Sequence, residues 1–270
     1  MMIIKSIEEV VRERIIEASE VALTHFRNAV RTIYGVSSKG NPTHSGSAIF
    51  LQLQDIHYLV TAAHVIDWNS SMTLYLGADT FDALQSELLI TVAPEGDRQK
   101  DHFDFAVVPL DSEIISKLSG AKFITENEIS RSIEKTNGRI YTCLGYPNSK
   151  NKVNSYKDTK VQPSLGIYTS LGKTTDFLEE IATDHDHILI DHDTQYSCDG
   201  SGNQIKSMDL HGFSGGAIID VGRISPDTLN SNLTPKLAAL FIEVSNKKNN
   251  RKQCILGTRL STILGGIQMQ

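Results

Sequence analysis

Ser214, flanked by glycines in the segment GFSGG, is the residue of this sequence best suited to act as a nucleophile. Glycines on both sides let the backbone turn tightly and leave the hydroxyl exposed. They also bring free N–H groups close to the place where a negatively charged oxygen forms when a hydroxyl attacks a carbonyl carbon. A glycine-rich hairpin without any activity explains these five residues equally well, so the segment alone does not decide the function.

A serine hydroxyl needs a general base, and the positions of the histidines limit where that base can lie. In the α/β-hydrolases, which also place a serine between glycines, the acid and then the histidine follow the serine along the chain. All nine histidines of this chain precede Ser214, and the last of them is His211. The α/β-hydrolase order is therefore excluded, and the base must come from upstream.

The upstream candidates are His64 as the base and Asp104 as the acid. His64 ends the segment LVTAAH, in which an apolar run and small residues allow close packing behind an imidazole. Asp104 opens the otherwise apolar segment DFAVVPL, where a carboxylate is partly buried and needs a hydrogen-bond partner such as a histidine N–H. Taken singly, each residue has a plain structural explanation, as a core histidine at a strand end and as an aspartate that caps a strand.

Taken together, these segments resemble the trypsin-like, or chymotrypsin-type, serine peptidases. The resemblance lies in TAAH ending at His64, DFAV beginning at Asp104 and GFSGG around Ser214, with weaker support from GSAIF and GYP. It covers residues 33–265 and leaves the N-terminal segment unexplained. It implies that Ser214 attacks the scissile carbonyl, that His64 takes its proton and later gives it to the leaving amine, and that Asp104 orients His64. It also implies that the N–H groups of Gly212 and Ser214 form the oxyanion hole.

The resemblance further implies a pocket for the side chain that precedes the cleaved bond. The residues shortly before the serine line this pocket in the family, which here indicates Met208, Asp209 and His211. Counting back without gaps puts Met208 at the base, whereas a shift by one residue puts Asp209 there and favours Arg or Lys in the substrate. Glu243, in the apolar segment LFIE, could also reach the pocket.

The residue before the nucleophile departs from the pattern of relatives that are activated by cleavage. Those relatives carry an aspartate that pairs with a newly cut N-terminus, and this chain has Phe213 at that position. A phenyl ring carries no charge and cannot form this ion pair with a buried ammonium group. We therefore expect that activity does not depend on such a cut.

The pattern of the remaining chain predicts an all-β fold of two six-stranded antiparallel barrels, preceded by an N-terminal α-helix. The helix is indicated by apolar residues at three- and four-residue steps, namely Ile4, Ile7, Val11, Ile15, Ala18, Ala22 and Phe26. From Val30 onward, two sets of about six short β-like runs lie on either side of a polar stretch. The predicted boundaries are 1–30 for the helix, 31–112 for the barrel with His64 and Asp104, 113–138 for a connector and 139–270 for the barrel with Ser214.

Composition limits the partners and the location. The net charge of −6 argues against a nucleic acid, and no apolar run is long enough to cross a bilayer. The three cysteines, Cys143, Cys198 and Cys254, are widely spaced, which indicates reduced thiols, and no secretory signal opens the sequence. We therefore predict a cytoplasmic protein that acts on a protein or peptide substrate without a cofactor, a membrane or a nucleic acid. The N-terminal helix either packs against the body or recruits a partner protein.

Two alternatives remain open at this point. The segments DHDH at residues 184–187 and DHD at residues 191–193 could suggest a metal site, because strand alternation would put His185 and His187 on one face. The simpler interpretation is a strand, HILI, with polar ends. The other alternative is a catalytically silent relative that uses the double barrel as a protein-binding module. A regulatory or quality-control protease is the expected biological role if the chain is active.

Overall fold

The computed structural model describes residues 5–36, 42–77, 82–83, 89–152, 163–178, 180–193, 197–198, 203–225, 227–228, 231–245 and 253–269. The helices are α1 (Ile7–Phe26), α2 (Ala63–Asp67), α3 (Ser112–Lys117) and α4 (Leu260–Gln268). The strands are β1 (Val30–Val36), β2 (Pro42–Leu53), β3 (Ile56–Ala62), β4 (Thr73–Gly77), β5 (Asp82–Ala83), β6 (Leu89–Ile90), β7 (Phe105–Pro109), β8 (Ile124–Thr125), β9 (Arg139–Gly145), β10 (Gly166–Lys173), β11 (His187–His192), β12 (Ser197–Cys198), β13 (Gln204–Ile205), β14 (Ala217–Arg223), β15 (Lys236–Ser245) and β16 (Gln253–Arg259).

The first half of the chain forms a curled sheet in the order β5-β4-β1-β2-β3-β7-β6, with β8 added in parallel to β2. Alternate residues of its strands enter two different cores. In β2, Ala48 and Phe50 lie in the apolar cluster inside the curl, whereas Ile49 and Leu51 lie in a cluster shared with the second half of the chain. Burial on both faces explains why AIFL and FAVV are unbroken apolar runs rather than alternating ones.

The second half forms a closed barrel of six antiparallel strands in the order β10-β11-β16-β15-β14-β9. Its interior is filled by large buried side chains, among them Tyr141, Phe213 and Phe241. The all-β double-barrel fold with an N-terminal helix is thus confirmed, but the first half differs from the predicted six strands. It has eight strands in a curled sheet, because the structure adds β5 and β8, which are pairs of residues too short to leave a pattern in the sequence.

Helix α1 packs against the closed barrel at β9, β10 and β14. It begins with a capping box, in which Ser6 Oγ accepts from the N–H of Glu9 and the Glu9 carboxylate accepts from the N–H of Ser6. Ala18, Ala22 and Phe26 are fully buried. The predicted apolar face is therefore correct from Ile15 onward, where Ile15 packs against the shared cluster, whereas Ile7 is 83% exposed and Ile4 lies outside the described residues.

Most of α3 and all of β8 lie within the segment predicted as a connector. Helix α4 ends the described chain and buries Leu260, Ile263 and Leu264 in the cluster that both halves share. Among the residues that the structure describes, no helix is both long enough and apolar enough to span a bilayer.

From the packing of α1 we expect two substitutions in its last turns to have very different effects on the free energy of unfolding. Phe26→Ala is expected to lower the free energy of unfolding by about 3–5 kcal/mol, because it leaves a cavity among buried neighbours. Thr24→Ala, on the exposed side of the same helix, is expected to change this free energy by less than about 0.5 kcal/mol. Urea unfolding of both variants measures the two values. Equal losses would contradict the packing described here.

Candidate active site

His64 lies in the first turn of α2, immediately after β3. The three residues before it, Thr61, Ala62 and Ala63, are completely buried, and their small size lets the turn pack closely on the sheet. The backbone N–H of His64 donates to Asp104 Oδ1 at 2.9 Å, and the N–H of Ala63 donates to the Asp104 carbonyl at 3.1 Å. Two backbone hydrogen bonds thus hold the turn that carries His64 against Asp104.

Asp104 immediately precedes β7 and has a φ of +42°, which is the left-handed region that few residues other than glycine adopt. Its Oδ2 lies 2.5 Å from Nδ1 of His64. A carboxylate only accepts, so the shared hydrogen belongs to Nδ1, and Nε2 of the neutral ring keeps a lone pair that can accept a proton. The Asp104 side chain is 8% exposed, whereas that of His64 is 35% exposed and reachable from solvent.

An acid that the sequence analysis did not single out holds Asp104 in place. Asp101 Oδ1 accepts from the N–H groups of Phe103 and Asp104 at 3.1 and 3.0 Å. Its Oδ2 accepts from Arg98 at 2.5 Å, and Arg98 also pairs with Asp67. Asp101 is buried and acts on the backbone, so no motif in the sequence marks it.

Ser214 lies in a tight turn in which the N–H of Gly216 donates to the carbonyl of Phe213 at 2.7 Å. Gly215, the third residue of this turn, has a φ of +85° that favours glycine. The Ser214 hydroxyl donates to the carbonyl of Ile242 in β15 at 3.1 Å. Among the described residues the hydroxyl has no hydrogen bond to His64, so it must leave Ile242 before it can donate to the imidazole.

Ser47 of β2 connects the curled sheet to the serine turn. Its N–H donates to the Ser214 carbonyl and its hydroxyl donates to the Gly212 carbonyl, both at 2.8 Å. A Cβ on Gly215 would lie 1.9 Å from the Ser47 carbonyl oxygen, so only glycine fits there. The weak resemblance of GSAIF was the one sequence signal for this residue, and no role was assigned to it.

The peptide before Gly212 is oriented by Asn148, which the sequence analysis also missed. The N–H of Asn148 donates to the carbonyl of His211 at 2.7 Å. Because the carbonyl and the N–H of a trans peptide point in opposite directions, the N–H of Gly212 points away from Asn148. Within the described part of the chain, the N–H groups of Gly212 and Ser214 have no acceptor. Both are therefore available to an oxygen on a bound molecule.

The residues predicted to line a substrate pocket share one cavity with these groups. The cavity has a volume of about 600 Å³ and is lined by His64, Asp104 and Ser214, together with the four predicted pocket residues Met208, Asp209, His211 and Glu243. Met208 is half-buried and packs in the apolar cluster of the barrel, whereas Asp209 is exposed. His192 and Gln253, which were not predicted to belong to the pocket, line the same cavity.

The charges around the cavity raise the pKa of His64. Burial of the imidazole lowers this pKa, whereas the hydrogen bond to Asp104 and the charge of its carboxylate raise it. The carboxylates of Asp67 and Glu243 add to the increase, so the pKa of His64 lies above its ordinary value. Desolvation raises the pKa of Glu243, and the charge of Asp104 raises it further.

Phe213 is fully buried, with its ring 5.6 Å from that of Phe241. Its ring also lies against Gly145 and Gly166, where an added Cβ would come within 3.0 Å of it. This is the apolar packing expected of a phenyl ring at a position where an ion pair is impossible. The side chain supports the serine turn from inside the barrel.

His185 and His187, the two histidines considered as metal ligands, differ in their exposure to solvent. His185 is exposed and pairs with Asp186 at 2.9 Å, whereas His187 is 2% exposed inside the fold. Within the described ranges, no group of three or more histidine, cysteine, aspartate and glutamate residues is placed to hold a metal ion.

Comparison with known proteins supports the fold but does not test the catalytic activity. No protein-family model matches the chain, and no curated protein sequence matches it. Among solved structures, the chain is similar to the HtrA-type protease AlgW with a decapeptide, at a TM-score of 0.50 and 14% identity. The match covers 92% of this chain, and the chain spans 65% of the length of that one. The chain therefore has the fold of the trypsin-like serine proteases.

Proposed function

We propose that this protein is a trypsin-like serine endopeptidase that hydrolyses peptide bonds through His64, Asp104 and Ser214. The observation that supports this most directly is the pair formed by His64 Nδ1 and Asp104 Oδ2 at 2.5 Å, which lies in the cavity that Ser214 also lines. The pair orients the imidazole and leaves Nε2 free as a base, and the cavity gives room for a substrate carbonyl.

The proposed reaction begins when the Ser214 hydroxyl leaves the Ile242 carbonyl and donates its proton to Nε2 of His64. The serine oxygen attacks the substrate carbonyl, and the N–H groups of Gly212 and Ser214 bind the resulting oxyanion. The C–N bond breaks as His64 returns the proton to the leaving amine, and the acyl group stays on Ser214 as an ester. Water then attacks this ester by the same route, with His64 first taking a proton from the water and then giving it back to Ser214.

An extended peptide fits the edge of β15 beside Ser214. The last residue of β15 that pairs with β14 is Leu240, and the N–H of Phe241 still donates to Gly216. Beyond this point the described pairing of β15 is with β16 alone, and residues 242–244 line the cavity. A sheet edge of this kind binds a peptide by adding it as a further strand. This supports a protein or peptide substrate.

The proposed substrate pocket comprises Met208, Asp209, His211 and Glu243. The packing of Met208 in the apolar cluster favours this residue at the base of the pocket. Asp209 is exposed, and its Oδ1 accepts from the N–H of His211 at 3.1 Å. The carboxylates of Asp209 and Glu243 nevertheless favour basic or neutral side chains over acidic ones at the cleavage site.

We place the protein in the cytoplasm, as a regulatory or quality-control protease. The support for the location is the cysteine pattern, and the structure has Cys143 and Cys254 as buried free thiols. Burial raises the pKa of both thiols and keeps them protonated and unreactive.

One observation favours the second candidate function, a catalytically silent binding module. The Ser214 hydroxyl donates to Ile242 rather than to His64. In active enzymes without a bound substrate, the hydrogen bond from the serine to the histidine is also often absent, and it forms when the substrate binds. Peptide hydrolysis by the wild-type chain separates the two functions, because the module would have none.

Ser214→Ala is expected to abolish peptide hydrolysis without loss of folding, with a decrease in kcat of about a million-fold. Ser207→Ala is the matched control, because Ser207 is another serine that lines the same cavity and is expected to be dispensable. Hydrolysis of a fluorogenic peptide mixture, with urea unfolding as the test of folding, measures both. Activity of Ser214→Ala within tenfold of the wild type would refute Ser214 as the nucleophile.

The pH dependence follows from the raised pKa of His64. The base must be neutral, so kcat/KM is expected to rise with pH and to reach its midpoint above the ordinary histidine value of about 6.5. Asp104→Asn removes the charge that raises this pKa, so the midpoint is expected to fall and kcat to drop by about 10⁴-fold. A pH series from 5 to 9 measures both effects. A profile that is flat over this range, with chemistry rate-limiting, would exclude His64 as the base.

A further inference from the structure

The short segment 101–104, which carries Asp104 into β7, is bound by side chains of the closed barrel. The Thr258 hydroxyl donates to the carbonyl of Phe103 at 2.6 Å, and Nε2 of His187 lies 2.9 Å from the carbonyl of His102. His187 and Thr258 are direct partners across the β11–β16 pair. They are 2% and 0% exposed. Two neighbouring barrel strands thus bind two consecutive carbonyls of the segment.

The hydrogen bonds of His187 define which ring nitrogen carries the proton. The backbone N–H of Thr183 donates to Nδ1 at 3.2 Å, so Nδ1 is an acceptor. The proton of the neutral ring is therefore on Nε2, which donates to the His102 carbonyl. Burial lowers the pKa of His187 and favours this neutral form. The ring also lies 5.5 Å from that of Phe103.

The segment needs such support because of the backbone of Asp104. Residues other than glycine rarely adopt a φ of +42°, and such a strained backbone persists only where its surroundings hold it. On the side of the curled sheet, Asp101 binds the N–H groups of Phe103 and Asp104. On the barrel side, the carbonyls just before Asp104 are bound by His187 and Thr258. The position of the carboxylate therefore depends on both halves of the molecule.

We propose that His187 and Thr258 are positioning residues that hold segment 101–104 so that the carboxylate of Asp104 stays against Nδ1 of His64. This inference rests on the proposed function, in which Asp104 is the acid. The closed barrel then has two roles. It carries Ser214, and it holds the acid of the His64–Asp104 pair, which belongs to the other half of the molecule, in position.

The test is a pair of substitutions at Thr258 that differ in one hydroxyl. Thr258→Val keeps the shape and removes the donor, and Thr258→Ser keeps the donor. Thr262→Val is the matched control, because the Thr262 hydroxyl binds Asp186 and not segment 101–104. The readout is the pKa of His64, measured by NMR titration of the full-length chain with labelled histidines and assigned by the signal that His64→Ala lacks. The charged groups that act on His64 are Asp104, Asp67 and Glu243, and none of these substitutions changes them.

Thr258→Val is expected to lower the pKa of His64 by about half a unit or more, because the Asp104 carboxylate no longer stays in place. Thr258→Ser and Thr262→Val are expected to keep the wild-type value. Should Thr258→Val not fold, His187→Phe is titrated instead, with His185→Phe as its control. An unchanged pKa in a folded variant, or an equal change in the control, would overturn the proposal.

Peptide hydrolysis by the same variants separates this proposal from the proposed function. We expect Thr258→Val to lower kcat by about tenfold or more with little change in KM, since it misplaces the acid and leaves the substrate cavity intact. If the wild-type chain hydrolyses no peptide, the proposed function fails, and the NMR titration still decides whether Thr258 positions Asp104. A loss of stability without a change in the pKa of His64 would mean a purely structural role.

Discussion

The hydrogen bonds of Ser47 join two parts of the site that come from different halves of the chain. His64 and Asp104 belong to the curled sheet, whereas the serine turn enters β14 of the closed barrel. The N–H and hydroxyl of Ser47 bind the carbonyls of Ser214 and Gly212, and this contact fixes where the turn lies on the sheet. The N–H groups of Gly212 and Ser214 belong to the two peptides whose carbonyls accept from Asn148 and Gly216, so they point away from these donors and have no acceptor among the described residues.

The packing beneath this contact gives it a rigid base. The apolar cluster between the halves contains Ile49 and Val60 from the curled sheet, Leu144 and Leu240 from the barrel, and residues of both terminal helices. Close-packed interiors of this kind resist small displacements. Helices α1 and α4 both contribute buried side chains to this cluster, so the N-terminal helix packs as part of the core.

The sequence predicts the parts of the site that carry chemistry in their side chains. His64, Asp104 and Ser214 were proposed from residue type, order and the resemblance to trypsin-like peptidases, and they line one cavity with the pocket residues that the resemblance implies. The residues that hold them in place were not predictable in this way. Asp101, Asn148 and Thr258 act on backbone groups that are distant in sequence, and any residue supplies a backbone carbonyl. The two-residue strands β5 and β8 were missed because hydrophobic periodicity needs a longer run to be detected.

In the proposed function the uncut chain already holds a nucleophilic serine next to a base, with Phe213 buried where an ion pair would otherwise be needed. Intact-mass analysis of the full-length chain after reaction with a fluorophosphonate tests this most directly, with peptide mapping to locate the adduct. We expect one adduct, on Ser214 of the uncut chain, and a much slower reaction in His64→Ala. This expectation would be contradicted if the uncut chain stayed unmodified while a clipped chain reacted, or if the adduct formed on another residue.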